Sequence, residues 1–207
     1  GLPPAGLQYA REDKLEMSEA IHNAAAQLVD LVASKIGQGR AVHSETAISS
    51  ASRLAGSLLF RSFHLQFDNL PPGTPLLSDQ ANERGPMLVS ILANYLESAQ
   101  VPFNSPTAEN TQERGEPSKF DFVATLSMLQ EDAIALARQN AISLEQSAQA
   151  AALATAFIVK ECSANIGPRL AFNAAVFGII EGCKTVPPRL TDEVKRAIKK
   201  RPWYRFW

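Results

Sequence analysis

Long apolar runs are missing from this sequence. The longest, Ala150–Val159 and Ala174–Ile180, fall well short of the ~20 residues a helix needs to cross a bilayer, which excludes a spanning helix of ordinary composition. Segments that alternate β-branched and polar residues are missing too, as is any repeat of fixed period, so neither a sheet nor a solenoid is expected. Cysteine is scarce, with Cys162 and Cys183 the only two. They form no Cys-x-x-Cys pair. Antiparallel helices on either side of Gly167-Pro168, rising ~1.5 Å per residue, would leave them about 16 Å apart, beyond disulfide reach. Two free thiols suit a reducing compartment, and no basic-then-apolar leader stands in the first residues. The expectation is a soluble, cytoplasmic chain.

Catalytic signatures are equally sparse. The three histidines, His22, His43 and His64, are evenly spaced, but Gly37 and Gly39 break any continuous helix through them. Glu19 and His22 make one Glu-x-x-His pair, the element that carboxylate-bridged di-iron bundles use twice, and the second copy is absent. His43-Ser44-Glu45 carries the His-x-Glu of zinc deaminases without its Pro-Cys-x-x-Cys partner. There is no Gly-x-Ser-x-Gly elbow and no Walker-type loop, and Gly37-Gln38-Gly39 lacks both the third glycine and a preceding strand of a dinucleotide fingerprint. No metal and no cofactor is expected, and the balance leans away from an enzyme without closing that question.

What is present describes a folded domain. Of 207 residues, 45% are hydrophobic and 20% charged, too apolar for a disordered chain. A chain this long buries roughly 70% of its unfolded surface and needs no metal or disulfide to hold it. The net charge of −1 hides an asymmetry. Lys195, Arg196, Lys199, Lys200, Arg201 and Arg205 stand in residues 194–207 without an acid, so the body carries the opposite sign. A globally basic nucleic-acid binder is excluded, and contact with nucleic acid or a membrane surface would be local to the tail.

Apolar periodicity predicts helices throughout. One runs from about Glu12 to Ile36 through Ile21, Ala25, Leu28, Val32 and Ile36. A second is capped by Ser44, with Ile48, Ala51, Ala55, Leu58 and Leu59 inward and Gly56 in mid-helix, where a neighbouring helix approaching closely would offset the cost of glycine. Residues 64–78, with Pro71-Pro72-Gly73-Thr74-Pro75, form an irregular connection. Ser78 caps a helix from Asp79 to Ser98 that is either kinked at Gly85-Pro86 or regular only from Pro86. The polar segment 101–118 reads as a mobile loop. Phe120–Gln139 is amphipathic, and Ser143 with Gln146 makes a capping box for a helix reaching about Ala164. Pro168 opens Arg169–Lys184, Pro187-Pro188 stops it, and Thr191 starts a short basic helix. The expected fold is all-α, a compact bundle of about seven helices in a single domain over 1–207, with a central buried Ala-rich hairpin made by the fifth and sixth, and a basic-aromatic segment at 190–207.

Three places carry candidate binding residues. Ser50, Arg53, Ser57, Arg61 and His64 recur at steps of three and four on one helix face, able to offer guanidinium forks and hydroxyls to an anion, or to stand as a solvated face opposite the core. Asp79, Asn82, Glu83 and Arg84 follow the stiff Pro-rich connection and could form a rim. Lys199, Lys200, Arg201, Trp203, Tyr204, Arg205, Phe206 and Trp207 interleave cations with aromatics, a pattern that serves polyanions or docks on protein. The features favour a non-enzymatic helical interaction module that self-associates or binds another protein. A small-molecule or anion-binding protein using Arg53, Arg61 and His64 is the alternative.

Overall fold

A computed structural model describes residues 5–37, 43–104, 118–192 and 194, with side chains from Ser18 onward. Six helices follow one another: α1 (Ala5–Ile36), α2 (Ser44–Ser62), α3 (Asp79–Ser98), α4 (Phe122–Gln139), α5 (Leu144–Ile166) and α6 (Pro168–Lys184). About three-quarters of the described residues are helical and none forms a strand. Of the span expected to form a seventh helix, only Thr191, Asp192 and Val194 are described, the last two helical, and the rest lies outside the described residues. No single described helix is long and apolar enough to cross a membrane.

Local signals set most boundaries. Ser78 accepts the Ala81 N–H and caps α3, whose Gly85-Pro86 pair sits inside one continuous helix. Ser143 accepts from the Gln146 N–H at 3.1 Å while the Gln146 side chain accepts from the Ser143 N–H at 2.8 Å, a complete capping box. Pro168 occupies the first turn of α6, where its missing N–H has no partner to lose. Three starts differ from expectation. α1 begins at Ala5 rather than near Glu12. α2 is capped by His43 rather than Ser44, the imidazole Nδ1 accepting from the Thr46 N–H, because Ser44 is drawn inward against α5, where Asn165 donates to its hydroxyl. α4 begins at Phe122, with Asp121 as its cap.

All six helices contribute to one buried core. The expected central hairpin is only half central. α5 touches every other helix, but the helix that shares the centre with it is α2, and α6 lies mainly on α2 rather than on α5. Fourteen of the nineteen residues of α2 are buried, so it has no fully solvated side. Apolar burial of Leu28, Ile48, Leu58, Leu88, Leu126 and Ile134 contributes about 1.5–3 kcal/mol for each large side chain. Where α2 meets α6, Ser52 faces Gly178 and Gly56 faces Gly182. A Cβ on Gly56 would stand 2.7 Å from the Cys183 nitrogen and 2.8 Å from the Gly182 Cα, the close helix approach expected from its mid-helix position.

The connection 64–78 is irregular but pinned. Gly73 N–H donates to the Val186 carbonyl, Val186 N–H to Thr74, and Leu76 N–H to Lys184, with Pro75 and Thr185 forming one antiparallel bridge. Of the long polar segment, residues 105–117 lie outside the described residues. Its ends are anchored by Phe103, which is buried and stacked on Phe172 with ring centroids 4.4 Å apart, and by the Phe120 carbonyl, which accepts from Arg53.

Candidate functional site

The face of α2 that carries Ser50, Arg53, Ser57 and Arg61 is not solvated. Ser50 and Ser57 are fully buried. Arg53 Nε donates to Glu181 Oε2 at 2.6 Å and its Nη1 to the Phe120 carbonyl at 2.7 Å, tying α2 to α6 and to the entry of α4. Arg61 Nη2 donates to Gln130 Oε1 and to the Pro188 carbonyl, both at 2.6 Å, and Gln130 Nε2 reaches the same carbonyl. Burial pulls the Arg61 guanidinium down to about 10, with Glu131 opposing. The reading of this face as solvated is therefore overturned. The two guanidinium groups enter the interior because neighbouring elements supply partners, whereas the Ser50 and Ser57 hydroxyls are buried without a hydrogen-bond partner among the described residues. His64 lies apart from them, exposed just beyond α2 at φ 54°.

The second candidate group faces outward. Asp79, Asn82 and Glu83 are exposed on the first turns of α3. Arg84 alone turns inward, paired with Glu145 of α5 and set over the Phe63 ring at 5.6 Å, a fastening between α3, α5 and the end of α2. The tail candidates Lys199, Lys200, Arg201, Trp203, Tyr204, Arg205, Phe206 and Trp207 lie outside the described residues.

Folding also gathers a cluster around the His43-Ser44-Glu45 stretch. His43 and Glu45 at the start of α2 approach to 3.6 Å, Thr46 Oγ1 accepts from the Lys119 N–H, and Cys162 of α5 bonds to Ser44. Burial raises the Cys162 thiol, the Ser44 bond opposes this, and Glu45 and Glu161 raise it further. A thiol held protonated beside carboxylates is a poor nucleophile. Burial likewise pushes Cys183 up to about 12, with Lys184 opposing. Among the described residues no three His, Cys, Asp or Glu side chains converge as metal ligands. The Glu19–His22 pair of α1 is exposed, and the His22 Nδ1–H is donated to the Ser18 carbonyl at 2.6 Å.

Among the described residues, besides the exposed Leu77 of the Pro-rich connection, two open surfaces carry apolar side chains. One is a groove of about 390 Å³ floored by Leu153, Ala154 and Phe157 of α5, walled by His22, Ala25, Ala26, Val29 and Asp30 of α1, and flanked by Tyr95 of α3. The other is the outer face of α6. The chain matches no protein-family model, no curated protein and no solved structure. Toward the body, α6 buries the small residues Ala171, Ala175, Gly178 and Gly182 together with Ile179 and Cys183. Away from the body it presents Phe177 and Ile180, 66% and 47% exposed. The sequence places Arg169–Lys184 in a central buried hairpin, whereas the helix leaves Phe177 and Ile180 exposed. The glycines within the run were the available sign that the inner side carries the small residues.

Proposed function

We propose that this chain is a non-enzymatic helical interaction module that associates with a second copy of itself through the outer face of α6. The observation that carries the reading is the outer side of that helix, where Phe177 and Ile180 stand exposed although Ile179 is buried in the body and Phe172 stacks on Phe103. A helix packed on one side only concentrates its bulk inward, and bulk on both sides fits a helix packed twice. Between Arg169 and Lys184 the one charged residue of α6 is Glu181, which is turned to Arg53. The patch around Phe177 and Ile180 thus has no charge of its own to select a charged partner, and an apolar surface pairs equally well with its own copy across a two-fold axis. The alternative of an anion clamp at Arg53 and Arg61 loses support, since their partners lie within the fold.

The test is sedimentation equilibrium of the wild-type chain and of the double variant Phe177→Lys with Ile180→Lys. The expected result is a dimer that the double variant dissociates without loss of helicity. Melting measured on the dissociated chains should agree within about 0.5 kcal/mol, as for surface substitutions generally. A wild-type chain that stays monomeric at concentrations of tens of micromolar, or a dimer unaffected by the substitutions, overturns the reading.

A further inference from the structure

The groove between α1, α3 and α5 plays no part in association through α6, and its chemistry points to a ligand. Its volume of about 390 Å³ lies at the lower end of small-molecule sites, ~300–1,000 Å³. Ala25, Ala26 and Ala154 leave the floor and wall low where larger side chains would fill the space, and Val29, Leu153 and Phe157 make the lining apolar. Its polar groups are not a random sample. His22 and Asp30 stand eight residues apart on α1, so about 12 Å at ~1.5 Å per residue, one toward each end.

His22 engages the Ser18 carbonyl through its Nδ1–H. The Asp30 carboxylate accepts only, and no ion pair engages it among the described residues. Among the described residues no lysine or arginine lines the groove. Tyr95 and Phe157 add aromatic faces, which attract cations. A carboxylate or phosphate head would meet a negative charge at Asp30 and no counter-charge among the described lining residues.

We infer that this groove binds a small elongated apolar molecule bearing a protonated amine, with its chain along the alanine-lined floor and its ammonium at Asp30. An ammonium supplies donors where the lining offers acceptors, and the floor shelters the chain from water.

The test uses octylamine, octanol and octanoate as probes at neutral pH, titrated calorimetrically into the full chain. Octylammonium is expected to bind saturably at one site per chain, with octanoate at least tenfold weaker. Asp30→Asn should weaken octylammonium at least fivefold and leave octanol unchanged, and Ala26→Leu should abolish binding of both by filling the groove. Ala26 and Asp30 are exposed, so both variants keep the core intact. The inference is overturned by absence of saturable binding, by octanoate binding as tightly as octylammonium, by Asp30→Asn weakening octanol equally, or by Ala26→Leu having no effect. The Phe177 and Ile180 double variant should bind octylammonium like the wild type, so failure at the groove is separable from failure of self-association.

Discussion

Gly56 of α2 and Gly182 of α6 meet backbone to backbone. A Cβ added to either would stand 2.8 Å from the other's Cα, closer than real Cβ atoms approach. In an open helix, alanine would gain about 1 kcal/mol over glycine. Here the steric term wins, because the obstacle is main chain and cannot rotate aside. Gly56→Ala and Gly182→Ala should each destabilise by ~1–3 kcal/mol or more in denaturant titrations. Gly167→Ala is the comparison: nothing lies within 4 Å of its added Cβ, but its φ of +84° strains an L-residue, so a loss of ~1 kcal/mol is expected from backbone alone. Stabilisation by Gly56→Ala would show that α2 and α6 do not approach in solution as described.

Arg53 and Arg61 should behave as fasteners. Removing Arg53 strands the Glu181 carboxylate and leaves the Phe120 carbonyl with only the Ser118 hydroxyl as donor. Removing Arg61 strands the Gln130 Oε1 and leaves the Pro188 carbonyl with one donor fewer. Each change to alanine is expected to cost ~2–4 kcal/mol, the range for hydrogen bonds to charged groups plus the burial of orphaned partners. Charge reversal of both together should prevent folding, because it would bury carboxylates against Glu181 and beside Glu131. Double variants with wild-type melting behaviour would place these side chains in water.

Alkaline stability should report Cys183. The folded pKa of about 12 stands above the ordinary 9.0, so the unfolded chain releases its proton first. The contribution of the buried thiol is therefore complete below about pH 9 and is lost as pH rises from there through about 12, at ~1.4 kcal/mol per pH unit within the window. Comparing stability of wild type and Cys183→Ala between pH 8 and 10.5 should show the steeper decline in wild type. Parallel curves would mean the thiol titrates normally in the folded state.

The capping box of α5 offers a local test. Ser143→Ala removes the acceptor of the Gln146 N–H and should cost about 1 kcal/mol, while Gln146→Ala removes the reciprocal bond and should cost less. If the two bonds act as one unit, the double variant loses less than the sum of the singles. A loss above ~3 kcal/mol for either single change would require a role for these side chains beyond the cap.

What the sequence by itself determined about this protein lies within a few residues of chain. Ser78, Ser143 and Pro168 mark helix starts through contacts spanning three or four positions. The period of Leu28, Val32 and Ile36 names an inner face, and Gly56 in mid-helix announces a close neighbour without saying which one. Tertiary structure alone decided that the neighbour is Gly182, and that the face carrying Ser50, Arg53, Ser57 and Arg61 points inward. The physical reason is that the cost of burying a guanidinium depends on partners far along the chain, Glu181 for Arg53 and Gln130 and Pro188 for Arg61, and no local pattern records them. The same holds for Phe177 and Ile180. Their apolarity is legible in the sequence, but which side of α6 stays open depended on the glycines and alanines of that helix lying flat on α2.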